Sequence, residues 1–166
     1  MDDTQAPPWL DHEEEQAWIT LVSLLTRLPA ALDTQLRRDA GISHFEYQVM
    51  VCLSQSTDRM MRMSVLAMLV EGSLPRLSQV VSRLEKRGWL RRAPDPDDGR
   101  YTLAILTDDG LTKVTQTAPG HVGEVRRLVF GPLTRPPVRQ LQQISRRIVR
   151  AIDPAELRYL DRWPDI

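Results

Sequence analysis

The chain has 166 residues, 22 Lys+Arg against 22 Asp+Glu, and 42% hydrophobic residues, which indicates one globular domain with a real core and excludes a wholly disordered chain. The longest apolar run, residues 65–70, is far shorter than the roughly 20 residues of a membrane span. The acidic start, Met1-Asp2-Asp3, is unlike a signal peptide, and the single Cys52 excludes an internal disulfide or a Cys-rich zinc site. We therefore expect a cytoplasmic protein.

Acidic and basic residues are segregated along the chain. Residues 1–15 carry six Asp or Glu and no Lys or Arg, whereas residues 59–92 carry eight basic residues against two acidic ones, a net charge of +6. A basic segment of this density is typical of a surface that meets phosphates. A solvated helix face is the competing interpretation, and charge alone does not distinguish the two.

The first predicted helix is long. Apolar residues recur every three or four positions from Trp18 to Leu36, which is the spacing of one helix face. Pro29 lies within this stripe, so we expect a kink or a short break there. Gly41 is predicted to end the helix.

Two shorter helices are predicted next. Ser43, with Glu46 three residues later, forms a capping box and predicts the start of a second helix. Residues 59–63 are short enough for a single strand. Ser64 is then predicted to cap a third helix that Gly72 ends.

A fourth helix is predicted to be strongly amphipathic. Ser73 is its expected cap, Pro75 is tolerated in its first turn and Gly88 ends it. At about 100° per residue, one face holds the apolar residues Leu77, Val80, Val81 and Leu84. The opposite face holds Gln79, Ser82, Arg83 and Lys86, with Arg76 at its edge. The helix therefore has a core side and a cationic, amide-bearing outer side.

The pattern after this helix predicts a hairpin. The Asp-Gly turn in residues 95–99 separates a basic extended run from the alternating Tyr101, Leu103 and Ile105. Because the next residue of the run is Arg100, the tip of the hairpin is basic.

Two further helices are predicted in the C-terminal third. Thr107 is the expected cap of a fifth helix, which Pro119 and Gly120 are predicted to interrupt. An apolar stripe from Leu141 to Ile152 predicts a last helix, ended by Asp153-Pro154, and the tail after it is interpreted as one short further helix.

Three short helices followed by a basic hairpin give the order of a winged helix-turn-helix. We therefore predict a mainly α (α+β) fold in which the fourth helix enters a DNA major groove, where Arg pairs with guanine and Gln with adenine. Arg100 is expected to reach a minor groove, with Asp98 holding its guanidinium in a bidentate pair. The predicted DNA-binding residues are Arg76, Ser78, Gln79, Ser82, Arg83, Lys86, Asp98 and Arg100.

Three segments resemble MarR-type regulators (multiple antibiotic resistance repressors). Residues 78–90 read SQVVSRLEKRGWL and resemble the family's recognition helix, while residues 95–100 (DPDDGR) and 106–110 (LTDDG) resemble its wing and the start of its fifth helix. The resemblance runs from about Glu15 to Ile152. It implies a winged-helix homodimer with interleaved first and last helices, which binds a pseudo-palindromic operator, usually as a repressor. Many such dimers release DNA on binding a small phenolic compound or on oxidation.

This resemblance and the apolar stripes suggest a domain organisation. We expect an acidic segment at 1–14, an N-terminal dimerisation helix at 15–40, a winged helix-turn-helix DNA-binding domain at 41–107, and C-terminal dimerisation helices with a tail at 108–166. The terminal stripes exceed what one winged-helix core can cover, so an isologous homodimer is expected. The expected partners are double-stranded DNA, a second copy of the chain and a small aromatic effector, with no membrane.

Several residues keep two interpretations open. Cys52 is either a redox sensor, as in some members of the family, or an inert buried thiol, because no Lys or Arg adjoins it. Trp18 and Tyr47 either pack in the core or line an effector pocket. The three histidines share no metal-ligand spacing, so no metal site is predicted.

The alternative function is a winged-helix module that binds protein through the same faces instead of DNA. An enzyme or a cofactor-dependent protein is not expected, because the sequence contains no Ser-His-Asp order, Gly-rich phosphate loop, HExxH or paired catalytic carboxylates. The tip Asp98-Gly99-Arg100 favours DNA binding, because neither alternative explains it.

Overall fold

The computed structural model of the protein describes residues 9–152. Within this range the α-helices are α1 (His12–Ala40), α2 (His44–Ser54), α3 (Met63–Leu69), α4 (Leu74–Lys86), α5 (Asp108–Val125) and α6 (Arg135–Ile152). The strands are β1 (Met60–Arg62), β2 (Leu90–Pro94) and β3 (Thr102–Leu106). A mainly helical fold with a small antiparallel sheet is confirmed. No helix in the described part of the chain is both long and apolar enough to cross a lipid bilayer.

Helix α1 is continuous. Asp11 caps it by accepting a hydrogen bond from the Glu14 backbone N–H at 2.8 Å, so it begins three residues before the predicted boundary at 15. Gly41 ends it in the left-handed conformation, with φ 66°. Of the kink or short break predicted at Pro29, the break is wrong, because the helix runs through this residue. Pro29 and Leu25, whose carbonyl loses its helical partner, are both exposed, so water can satisfy that carbonyl.

The start and end of α3 differ from the prediction. The helix begins at Met63, directly after β1, so Ser64 lies inside its first turn and does not cap it. Its last residue is Leu69, and the positive φ beyond it belongs to Glu71. Gly72 is required for another reason: a Cβ there would lie 2.7 Å from the Phe45 ring. The glycine therefore makes room for an aromatic side chain of α2.

Helix α4 forms as the sequence predicts. The Ser73 hydroxyl accepts a hydrogen bond from the Arg76 backbone N–H, and Gly88, with φ 74°, follows its end. Its apolar face is fully buried against α2, α3 and the sheet, through Leu77, Val80, Val81 and Leu84. Burying four such side chains stabilises the helix in place by several kcal/mol, at about 1.5–3 kcal/mol each.

The sheet has the order β1-β3-β2, with both pairs antiparallel. The hairpin predicted around the Asp-Gly turn is confirmed, since β2 and β3 pair across it. Tyr101 precedes the strand and is exposed, whereas Ala104 and Leu106 face the core. Leu103, on the other face of the strand, is also buried, so alternation in the sequence does not identify the core side of β3.

Helices α1 and α5 pack against each other and against α2. The predicted interruption at Pro119 and Gly120 is wrong: α5 runs through both, and the irregularity is a π-turn at Arg126–Phe130. Helix α6 carries the predicted stripe and ends the described region at Ile152, so the predicted stop at 153–154 and the tail lie outside it.

Candidate nucleic-acid interface

The outer face of α4 is open to solvent. Four of the predicted contact residues on it are exposed and two are half-buried. The exposed ones are Arg76, Gln79, Arg83 and Lys86, and the half-buried ones are Ser78 and Ser82. The helix therefore presents cations, an amide and hydroxyls on the side opposite to its buried residues, which is the surface that a major groove requires.

One flank of α4 faces α2, and there two arginines have protein partners. The Arg76 guanidinium carbon lies 4.1 Å from the centroid of the Phe45 ring, a cation–π contact. The Arg83 Nε donates a hydrogen bond to Glu46 Oε1 at 3.1 Å, while 56% of the Arg83 side chain stays exposed. Consecutive residues of α2 thus hold arginines that are two turns apart on α4.

The Glu46 carboxylate is buried yet ionised. Burial on its own would raise its pKa, but hydrogen bonds from Ser43 and Arg83, together with the charge of Arg83, outweigh burial. Its pKa therefore lies below the ordinary 4.5, and the carboxylate carries a full charge near neutral pH.

The base of the wing is anchored to β1. The buried Asp95 carboxylate accepts a hydrogen bond from Arg62 Nε at 2.5 Å and another from the Asp97 backbone N–H at 2.9 Å. These bonds hold the pKa of Asp95 below its ordinary value, with the backbone hydrogen bond as the larger cause. The Arg62 guanidinium also stacks over the Tyr101 ring. The loop 95–101 is thus fixed at both ends.

The tip of the wing contains the predicted bidentate pair. Arg100 Nε and Nη2 donate to the two Asp98 carboxylate oxygens at 2.9 Å and 2.6 Å, respectively, and 84% of the Arg100 side chain is exposed. The Arg100 guanidinium holds the pKa of Asp98 below its ordinary range. Asp98 therefore orients a cation that projects into solvent.

A groove of about 270 Å³ separates the wing from the other flank of α4. It is lined by Leu74 and Ser78 from α4 and by Arg92, Arg100 and Thr102 from the hairpin. Arg92 also donates two hydrogen bonds to Glu85 Oε2, which ties β2 to α4. The wing tip and the N-terminal half of α4 thus border the same groove.

A larger cleft, of about 1120 Å³, lies between α1, α2, α4 and α5. Tyr47 and His121 meet inside it, edge to face, with ring centroids 4.8 Å apart, and His44 lies 5.8 Å from His121. The buried Cys52 also borders the cleft, whereas Trp18 is exposed on α1. Arg76, Gln79 and Arg83 contribute to its wall, so the cleft adjoins the outer face of α4.

The sequence did not reveal the residues that hold the arginines. Glu46 was recognisable only as a capping residue, and Phe45 only as an apolar residue of α2, because both contacts join segments more than 30 residues apart. Asp95 was visible only as part of the turn. No cluster of three or more His, Cys, Asp or Glu side chains within residues 9–152 is arranged to hold a metal ion.

Comparison with known proteins agrees with this geometry. The model of the MarR family matches residues 42–102. The MarR family regulator Sco3205 from Streptomyces coelicolor, solved in complex with DNA, is 42% identical with a TM-score of 0.85, over 92% of this chain and 96% of that one. AbsC, another MarR family regulator from that organism, is 32% identical with a TM-score of 0.81, over 87% of this chain and 97% of that one. The transcriptional repressor MprA from Escherichia coli K12 is 24% identical, over 80% of this chain and 79% of its own. The chain belongs to the MarR family of transcriptional regulators.

Proposed function

We propose that this regulator binds double-stranded DNA as a homodimer, reads a pseudo-palindromic operator and represses transcription. The observation that carries the proposal is that α4 exposes a cationic, amide-bearing face beside a groove that Ser78 of α4 and the Arg100 wing tip both line. The DNA complex of Sco3205 and the name of the repressor MprA support it by similarity. Because the proposed partner is chromosomal DNA, the proposed location is the cytoplasm.

In the proposed complex, α4 lies in the major groove and the wing follows the adjacent minor groove. Arg76, Gln79 and Arg83 are proposed to read base edges, since Arg suits guanine and Gln suits adenine. Ser78, Ser82 and Lys86 are proposed to fix the register through phosphates. Arg100, oriented by Asp98, is proposed to enter the minor groove, where the negative potential attracts a cation.

The proposed dimer uses the helices at both ends of the described chain. Helix α1 exposes Trp18, Val22 and Leu25, and α6 exposes Ile144, Ile148 and Ile152. Apolar stripes of this length are rarely left in water, and pairing the same surfaces on two copies covers both. Such a dimer would present its two α4 helices to half-sites about 10 bp apart.

The proposed effector site is the 1120 Å³ cleft. Its wall combines apolar side chains with the Tyr47–His121 pair, a combination that suits a small aromatic molecule. A panel of phenols and aromatic carboxylates should raise the Tm of the protein and release DNA. Ala118→Phe, which places a ring in the cleft, should abolish both effects. Equal Tm shifts in the two proteins would show that the ligand binds elsewhere.

The decisive experiment selects genomic fragments with the purified protein and sequences them. The best fragment is then titrated by fluorescence anisotropy from about 50 to 300 mM salt, where phosphate contacts produce a steep loss of affinity. We expect a shared two-fold motif. Arg76→Ala or Arg83→Ala should each cost about 1–3 kcal/mol at one operator position. No enrichment and no salt dependence would leave the alternative, a winged-helix module that binds protein.

A further inference from the structure

The two oxygens of the Glu46 carboxylate make separate contacts. Oε2 accepts hydrogen bonds from the Ser43 backbone N–H at 2.8 Å and from the Ser43 hydroxyl at 3.1 Å, which completes the cap of α2. Oε1 accepts the hydrogen bond from Arg83 Nε at 3.1 Å. Oε2 thus fixes the carboxylate to the start of its own helix, α2, and Oε1 binds an arginine of α4.

This contact restricts the Arg83 side chain without covering its end. The Nε hydrogen bond uses one of the five N–H donors of the guanidinium, and more than half of the side chain is exposed. A free arginine on a helix surface loses side-chain rotamer freedom when it is fixed. Here Glu46 fixes it before any ligand arrives, and the terminal nitrogens stay available for a planar acceptor pair.

We propose that Glu46 is a positioning residue for base recognition, which presents the terminal edge of Arg83 to guanine O6 and N7. This inference rests on the proposed function, because it requires Arg83 to meet a base. The neighbouring Phe45 holds Arg76 in a comparable way, with its ring seated over Gly72. Helix α2 therefore determines the direction of both recognition arginines.

The variant Glu46→Gln separates the two contacts of this side chain. A glutamine amide oxygen still accepts from Ser43 and preserves the capping box. Its NH₂ group then faces Arg83 Nε, so two donors meet and the anchor of the arginine is lost. Discrimination is measured as the ratio of affinities for the selected operator and for operators with single base-pair changes, and a ratio cancels any change in the folded fraction.

The first expected result concerns one base pair. Arg83→Ala should reduce discrimination at its guanine by roughly five- to a hundredfold. Glu46→Gln should reduce it at the same position by about threefold or more, with other positions unchanged. In the double variant Glu46→Gln/Arg83→Ala, the loss should equal that of Arg83→Ala alone, because the positioning residue acts only through the arginine.

The matched control is Glu85→Gln. Glu85 is also paired with an arginine, Arg92, but on the opposite flank of α4. Its substitution should change affinity for all sequences alike and leave the ratio at the Arg83 position intact.

Two results would overturn the inference while leaving the proposed function in place. One is wild-type discrimination in Glu46→Gln when Arg83→Ala has lost it. The other is a uniform loss of affinity for every sequence in Glu46→Gln, which is the signature of a merely structural role. If the wild-type protein enriches no DNA sequence at all, the proposed function fails, and this inference fails with it.

Discussion

At the scale of single residues, the wing tip supplies a cation that the fold does not need. Arg100 is 84% exposed, and it pairs with Asp98 of the same turn. We expect Arg100→Ala to weaken binding to all DNA sequences and to reduce the salt slope of log affinity by about one, while the Tm stays unchanged. Titrations at several salt concentrations measure this. Arg27→Ala, an exposed arginine of α1, is the control, and an equal slope change there would exclude a specific role for the wing.

A second residue-scale prediction concerns the half-buried histidines His44 and His121. Burial lowers the pKa of His44 and of His121, and for His121 the nearby His44 lowers it further. The ordinary pKa of histidine is 6.5. As the pH falls from about 7.5 towards 5.5, these two histidines therefore bind protons in the unfolded chain but stay neutral in the folded chain. Stability is therefore complete above pH 6.5 and is lost as pH falls through the lower, folded values.

The test is urea unfolding across this pH range. The free energy of unfolding of the wild type should decrease on acidification, and His121→Gln should make this decrease smaller. If His121→Gln has the same pH dependence as the wild type, the paired histidines do not contribute to it.

At the scale of elements, two glycines of α5 should respond oppositely to the same substitution. A Cβ at Gly110 would overlap the Trp89 carbonyl oxygen and lie 2.7 Å from Leu106 Cδ1, because the start of α5 packs directly on the end of the hairpin. Gly110→Ala should therefore destabilise the protein by about 1–3 kcal/mol. At Gly123 a Cβ meets nothing within 4 Å, so Gly123→Ala should stabilise α5 by roughly 0.5–1 kcal/mol.

Thermal and urea unfolding of the two variants measure this contrast. Each variant is the control for the other, because both make the same chemical change in the same helix. Equal effects of one sign would show that helix propensity alone decides, and that the contact with Trp89 does not limit the position.

At the scale of the whole molecule, the exposed apolar faces of α1 and α6 predict the oligomeric state. Light scattering at micromolar concentration should give about twice the 19.0 kDa of one chain. Ile144→Lys should shift the protein towards the monomer, because a cation in a self-pairing apolar surface also faces its own copy. Gln143→Lys, on the polar side of α6, should remain a dimer. A monomeric wild type would contradict the proposed dimer.

Loss of the dimer should also reduce operator binding, because a monomer reads only one half-site. The dissociated Ile144→Lys protein should bind an isolated half-site as well as the wild-type chain does, and lose the advantage of the full palindrome. Full-site affinity retained by a monomer would mean that one chain suffices for recognition.

Features that depend on neighbours within about one helical turn could be predicted from the amino-acid sequence. Ser43 and Glu46 cap α2, the buried and exposed faces of α4 follow its 3.6-residue period, and Asp98 pairs with Arg100 two residues away. Local hydrogen bonds and periodic burial depend on residues that are close in sequence, so the order of elements in the winged helix could be predicted. The predicted ends of α3, at Ser64 and Gly72, were wrong because they depend on the packing of β1 and of Phe45.

Contacts between distant segments depend on tertiary packing and could not be predicted from the sequence pattern. Glu46 meets Arg83, Asp95 meets Arg62, and His44 meets His121, although each pair is separated by more than 30 residues. Tertiary packing also decided that α1 and α5 run through their prolines, since packing of the two helices on each other outweighs a local cost of about 3 kcal/mol. A sequence pattern fixes which side of an element is apolar, whereas the side chains that meet across elements depend on how the elements pack.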